Sequence, residues 1–375
     1  MWNLMSYLTN FGRFLLLLAL FCGVSEKWIS ADDTATDNQQ HLNLLYFNNK
    51  KGETTPVTSL DDWKRRKTQI LQNMQDAMGP LPQPENPVPL EMKVLEEETI
   101  AGILRQKVSY HTSSPERTIN AYLFRQAKVP GLTPALLCLH QTTSIGKEEP
   151  AGLGGKPNLH YALHLAQRGY VTLAPDYPSF GEYEINFAKD DQYISGTMRA
   201  IYDNQRAIDL LQSLPEVDGK RIGCLGHSLG GHNTMFTAAF DERIKVIVSN
   251  CGFTRFHKYY GGKLAGWTSD RYMPRIRTQY QNDPNQVPDD FPEILGCFAP
   301  RPFLASSPLY DGNFEVSGVQ ESIELALPIY RLYDAEDHLQ ANYPACEHDF
   351  PEDVREVAYR FFDEHLRFSP SVSLP

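Results

Sequence analysis

The chain reads as an α/β protein, a mostly parallel sheet with helices on both faces. Three observations carry that expectation. From residue 134 onward, short, mostly apolar runs (Pro134–His140, Tyr170–Pro175, Ile244–Ser249, Arg301–Ser306) alternate with segments of helical period. A glycine-bound serine, Gly226-His227-Ser228-Leu229-Gly230-Gly231, stands between an apolar run (Arg221–Leu225) and a helical one (His232–Phe240). The 375 residues, 41% hydrophobic, are ample for one large core.

In chain order, Arg13 followed by the apolar run Phe14–Cys22 is too short to span a bilayer. With small residues at Ser30 and Ala31, and Ile29-Ser30-Ala31 as a cleavage site, residues 1–31 read as a secretory signal, which predicts a secreted or periplasmic protein with no other membrane segment. An uncleaved N-terminal anchor is the alternative. Residues 32–58 are polar and mixed and predict a poorly ordered lead-in. Asp61–Met78 places Trp63, Ile70, Leu71, Met74 and Met78 near helical spacing, with acids at its start and Gly79-Pro80 as its stop. Pro80–Pro89 reads as a linker or wrapping arm. Three β-like runs, Glu91–Glu98, Ile103–Thr112 and Thr118–Phe124, predict an antiparallel meander at a sheet edge. Residues 32–114 are therefore expected to form an N-terminal extension that includes the first strands of the sheet.

The catalytic domain is expected over 115–368, with a tail at 369–375. Besides the apolar runs it holds predicted helices at Tyr161–Arg168, Ser195–Leu214, Ser322–Asp334 and Pro351–Phe368, and a last strand at Leu339–Tyr343. Net charge is −11, which argues against nucleic acid as a partner. Of six cysteines, Cys22 lies in the signal segment and five remain, so no complete disulfide framework is expected. Cys138 and Cys224 fall inside apolar strands and read as small core residues. No Cys/His spacing suggests a metal.

A strand, a glycine-bound serine and a helix in that order make a nucleophile elbow. Glycines on both sides keep neighbouring backbone from colliding with a side chain, and the helix start behind Ser228 offers free N–H groups to a developing oxyanion. A serine hydroxyl needs a base, and the base an orienting acid. His348 is the candidate base, in the loop between the last predicted strand and the final helix. His338 is its rival, at the other end of that strand. Asp311, just past the strand Arg301–Ser306, is the candidate acid, with Asp334, Glu336 and Asp337 as fallbacks. Backbone N–H groups of Gln141 and Leu229 are the candidate oxyanion donors. His140 orients the loop or contributes to substrate binding. His227 is expected to pack beside the elbow.

These stretches resemble the α/β-hydrolase superfamily, specifically its bacterial dienelactone-hydrolase-like and acetyl-xylan-esterase-like branch. The resemblance is carried by Leu139-His140-Gln141, Gly169–Tyr177, Asp203–Ser228, Ala299-Pro300-Arg301-Pro302 and Cys346–Phe350. It implies an eight-stranded, mostly parallel sheet and a serine-hydrolase mechanism without cofactor. Gln141 stands where many relatives have glycine, and the segment 251–297 is family-variable, a cap-like insert between two core strands.

That insert concentrates Arg255, Lys258, Lys263, Arg271, Arg275 and Arg277 beside Trp267 and several Phe and Tyr residues. Trp267, Arg271 and Arg275 are candidate substrate contacts, suited to a sugar face plus a carboxylate. Equally, the insert reads as a solvated segment whose aromatics pack on the core. The expected activity is hydrolysis of carboxylic esters, including acyl esters of carbohydrate, on small-molecule or carbohydrate substrates. One alternative is a serine peptidase of prolyl-oligopeptidase type, against which stands the lack of room for a propeller. Another is a non-catalytic binding protein, against which stand three filled triad positions.

Overall fold

Apolar runs this dense can be satisfied only by strands buried on both faces, and nine strands do form one sheet. The computed structural model describes residues 39–48, 51–128, 131–189 and 193–370. The signal segment 1–31, the start of the lead-in and the last five residues of the tail lie outside the described residues. Helix α1 (Gln39–Leu42) and a hairpin of β1 (Tyr46–Asn48) with β2 (Thr54–Pro56) precede helix α2 (Leu60–Met78). The sheet strands follow as β3 (Lys93–Ile100), β4 (Ile103–His111), β5 (Thr118–Gln126), β6 (Thr133–Leu139), β7 (Val171–Pro175), β8 (Val217–His227), β9 (Ile244–Asn250), β10 (Phe303–Ser306) and β11 (Leu339–Asn342). Between and after them come α3 (Tyr161–Arg168), α4 (Gly196–Ser213), α5 (Leu229–Phe240), α6 (Arg275–Thr278), α7 (Phe291–Gly296), α8 (Val316–Leu332) and α9 (Glu352–His365).

The spatial order is β11-β10-β9-β8-β6-β7-β5-β4-β3. β3 to β5 form an antiparallel meander, β5 runs antiparallel to β7, and from β7 to β11 every pairing is parallel. Strands β6 and β7 are buried at every residue, the pattern of a sheet covered on both sides. Helices α2, α4, α5, α7 and α8 pack one face around Ile70, Ile201, Phe236, Ile294 and Ile329; α3 and α9 pack the other around Leu165 and Phe362.

Three expectations are corrected. The resemblance implies eight strands, and the ninth is β3, exposed along its whole length. It buries nothing, so the core does not require it; a tight turn with positive φ at Ala101 (49°) and Gly102 (83°) returns the chain onto β4. The described part of the lead-in is structured, because Leu44, Phe47 and Val57 are buried against the core that includes Trp63. Helix α8 begins six residues before the predicted Ser322. Its start carries Ser317-Gly318, poor helix formers, but a Cβ at Gly318 would meet Thr254 Oγ1 at 2.1 Å, so close packing requires the glycine there. Elsewhere the signals hold: Ser195 caps α4 by accepting from the Met198 N–H at 3.0 Å, and Gly169 ends α3 at φ 112°.

Parallel strands bring their carboxyl ends to one side of the sheet. The loops after β6, β8, β10 and β11 therefore converge, and Ser228, Asp311 and His348 each lie on one of them, whereas His338, Asp334, Glu336 and Asp337 precede β11 at its other end.

Candidate active site

Ser228 sits between β8 and α5 at φ 54°, ψ −117°, a left-handed conformation that a serine adopts only where surrounding structure holds it. Its N–H donates to the Asn250 carbonyl of β9 at 2.9 Å. The flanking glycines are required by backbone contact. A Cβ at Gly226 would lie 2.1 Å from the Gly230 carbonyl oxygen, and one at Gly230 would lie 1.9 Å from that of Leu139.

Past β10, the Asp311 carboxylate accepts the backbone N–H groups of Asn313 (2.8 Å) and Phe314 (3.1 Å), which fixes its plane. His348 Nδ1 donates to both of its oxygens at 2.9 Å. The Asp311 side chain is 2% exposed and that of His348 20%, so the imidazole has one buried edge and one facing the cleft. The rival His338 is at the far end of β11, with Nδ1 2.6 Å from the Pro300 carbonyl. Cys251 approaches the same carboxylate; its thiol, Asp311 and His348 lie within 4.8 Å of one another. Burial first, and then Asp311, push the thiol well above its ordinary pKa, so it is protonated beside the carboxylate.

His227 is fully buried with its ring 4.7 Å from that of His348. Asn250 Nδ2 donates to His227 Nδ1 at 2.6 Å and to the Asp349 carbonyl at 3.2 Å, tying the elbow to the loop of His348. Burial, then the neighbouring His348, hold His227 far below the usual histidine range, so it is neutral.

The backbone N–H groups of Gln141 and Leu229 have no acceptor among the described residues, and both residues line the same cavity as Ser228. The loop after β6 is held by a network that no local sequence pattern announces. Gln141 Nε2 donates to Glu149 Oε2 at 2.8 Å, which anchors the side chain to the following turn. Lys147 is wholly buried against Asp176, its ammonium and its backbone N–H each 2.8 Å from that carboxylate. Burial opposes the Lys147 charge, but Asp176 and Glu182 outweigh it and raise its pKa. His140 Nε2 accepts the Tyr177 N–H at 2.8 Å, so its proton is on Nδ1, 2.6 Å from the Gln141 carbonyl. Both nitrogens are spent, and His140 stands behind the loop rather than in the cavity.

The cavity holds ≈ 320 Å³ and is lined by Ser228, His348 and aromatic side chains of the insert, Tyr259, Trp267 and Tyr272 among them. Of the insert residues expected to meet substrate, only Trp267 lines the cavity. Arg271 donates from Nε to Ser179 Oγ at 2.6 Å and lies 4.2 Å over the Phe180 ring. Arg275 caps the carboxyl end of α2, bonded to the Gln75 and Asp76 carbonyls at 3.3 and 2.8 Å. Arg255 is paired with Asp290 and Glu321. Arg255, Arg271 and Arg275 are thus engaged inside the fold, Lys263 and Arg277 are exposed, and the aromatics of the insert both pack on the core and form the cavity wall. His232, one turn into α5, also lines the cavity and was not assigned a role from sequence.

Against known proteins, residues 158–289 match the model of the prolyl oligopeptidase family. The Bacillus subtilis protein YtaP is 27% identical over 306 residues, 77% of this chain and 96% of that one. The carbohydrate esterase MZ0003, from an unknown prokaryotic organism, is 25% identical over 174 residues, 42% of this chain and 39% of its own. A glucuronoyl esterase from Solibacter usitatus superposes with a TM-score of 0.65 at 18% identity, covering 86% of this chain and 97% of that one. At that identity the likeness is one of fold.

Proposed function

We propose that the chain is an ester hydrolase of the α/β-hydrolase superfamily, that Ser228, His348 and Asp311 are its catalytic triad and that esters of carbohydrate are its substrates. The observation that carries this is the Asp311–His348 pair at 2.9 Å, on an imidazole that lines one cavity with a serine held at φ 54°. His348 takes the proton of Ser228 as its Oγ attacks the ester carbonyl. Asp311 stabilises the imidazolium. The N–H groups of Gln141 and Leu229 bind the oxyanion, each worth about 3 kcal/mol in the transition state. The tetrahedral intermediate expels the alcohol, which receives the proton from His348, and water then cleaves the acyl-enzyme by the same steps.

The carbohydrate assignment is supported by the aromatic cavity wall and by the substrate class in the names of MZ0003 and the Solibacter enzyme. The N-terminal apolar run supports action outside the cytoplasm. Hydrolysis of p-nitrophenyl acetate by the purified chain, with Ser228→Ala and His348→Ala alongside, tests the triad. Both variants are expected to lose activity by several orders of magnitude; an equally active Ser228→Ala overturns the assignment. The match to the prolyl oligopeptidase family favours a second reading, a peptidase. Turnover of peptide p-nitroanilides above that of esters would select it.

A further inference from the structure

We infer that His232 determines specificity, its Nε2 accepting a hydrogen bond from a hydroxyl on the substrate ring next to the scissile ester. The inference rests on the esterase reading above and deepens it, because it names the atom that distinguishes a hydroxylated ring from a hydrocarbon one.

His232 lies in the first turn of α5, the helix that Ser228 precedes, with its N–H 3.3 Å from the Ser228 carbonyl oxygen, and both residues line one cavity. Its Nδ1 lies 3.0 Å from the Gly252 carbonyl, an acceptor only, so Nδ1 carries the proton and Nε2 presents a bare lone pair. Burial pushes the ring down to about 4, so that lone pair persists at ordinary pH. The residue is 8% exposed and lines the cavity that holds Ser228, and Nε2 has no partner among the described residues. The ring cannot turn aside easily, packed as it is 4.7 Å from Trp267 and 5.7 Å from Phe236. An acceptor open to this cavity is bonded to water in the free protein, so a ligand that displaces the water must supply a donor in its place. The wall beside it has the matching form: the indole of Trp267 suits the C–H face of a saturated ring, and Asn313 and the Thr142–Tyr272 hydroxyl pair (3.1 Å) suit its polar edge. No Lys, Arg, Asp or Glu side chain is among the lining residues, so the ring recognised is uncharged.

The test uses the whole purified chain and two substrate pairs, each differing by one hydroxyl. Cyclohexyl acetate and trans-2-hydroxycyclohexyl acetate place it on the alcohol side. Methyl cyclohexanecarboxylate and its trans-2-hydroxy derivative place it on the acyl side. Wild type is expected to favour the hydroxylated member of one pair by about tenfold or more in kcat/KM, mostly through KM. His232→Phe, which keeps a ring and removes the acceptor, is expected to bring that ratio within about twofold of unity. His232→Gln, which restores an acceptor, recovers part of the preference, and His232→Leu gives the same reading as phenylalanine should that variant not fold. A wild-type ratio near unity in both pairs, or a preference that survives either apolar variant, overturns the inference. Failure of the esterase reading looks different: wild type then leaves p-nitrophenyl acetate untouched, or Ser228→Ala hydrolyses it equally well.

Discussion

Gly230→Ala sets the elbow against the oxyanion loop. The added Cβ would lie 1.9 Å from the Leu139 carbonyl oxygen, 2.6 Å from its carbon and 2.9 Å from the His140 oxygen. Carbon and oxygen tolerate about 3.3 Å, so the two backbones must separate by about 1.4 Å. Leu139 is bonded into β6, which is laddered on both sides, so the movement falls on its end and on the loop that follows. Two residues on is Gln141, whose N–H must point at the oxyanion. A displacement of about 1 Å costs roughly 100-fold, and loss of one donor 100- to 1,000-fold. We expect kcat for p-nitrophenyl acetate to fall by about 100- to 1,000-fold with a smaller change in KM, and stability to fall by about 1–3 kcal/mol. Gly219→Ala is the control, since its Cβ meets nothing closer than a flexible Gln212 side chain at 3.4 Å. Steady-state kinetics with a thermal melt decides the matter. A folded Gly230→Ala enzyme within threefold of wild type refutes the claim that this contact places the oxyanion loop.

Asp311→Asn is expected to lower kcat by about 10⁴-fold by removing the acceptor that fixes the His348 tautomer, read on the same ester. Glu149→Ala frees the Gln141 side chain and should lower kcat by roughly tenfold while KM moves little; an unchanged kcat shows that the Gln141–Glu149 bond does not orient the loop. His164 gives a pH signature in stability. Burial, then Arg355 and His160, lower its pKa to about 4, so between about 6.5 and 4 the unfolded chain binds a proton that the folded chain refuses. Its stability contribution is therefore complete above about pH 6.5 and lost as pH falls through 4. His164→Gln should gain on wild type by up to about 1.4 kcal/mol per pH unit over that interval, measured by urea unfolding at pH 7, 6 and 5. A stability difference independent of pH contradicts the assignment.

The elbow was legible because Gly226 and Gly230 are demanded by backbone contacts between adjacent elements, which leave a short, fixed spacing in the chain. The parallel strands were legible for a similar reason, since burial on both faces leaves no polar alternation. Strand β3 was legible as the outer run of the edge meander; the count of eight strands came from the resemblance and left it out. The loop anchors were illegible. Lys147 and Asp176 lie 29 residues apart, and nothing local to either predicts the pairing. Charge counting misled in the insert for a related reason. Six basic residues in one stretch say nothing of where their partners are, and Arg275 finds the end of a helix 200 residues upstream. His232 could have been found from its place in the chain, in the first turn of the helix that follows the nucleophile.

Helix α1 and helix α2 are joined to the insert at several points. Glu293 receives both His41, at 2.5 Å, and Arg66; Asn73 donates to the Pro288 carbonyl at 2.7 Å; and a Cβ on Gly296 would strike the Trp63 ring at 2.8 Å. Arg275 closes the other end of α2. The cavity wall is therefore not an interchangeable loop. A graft that exchanges 251–297 with a relative in order to change substrate range would strand a fully buried carboxylate between foreign cations, or leave two cations without it. The transferable module is discontinuous, the insert together with the 40 or so residues beginning at Gln39, and recombination across that seam should breed misfolding rather than new selectivity.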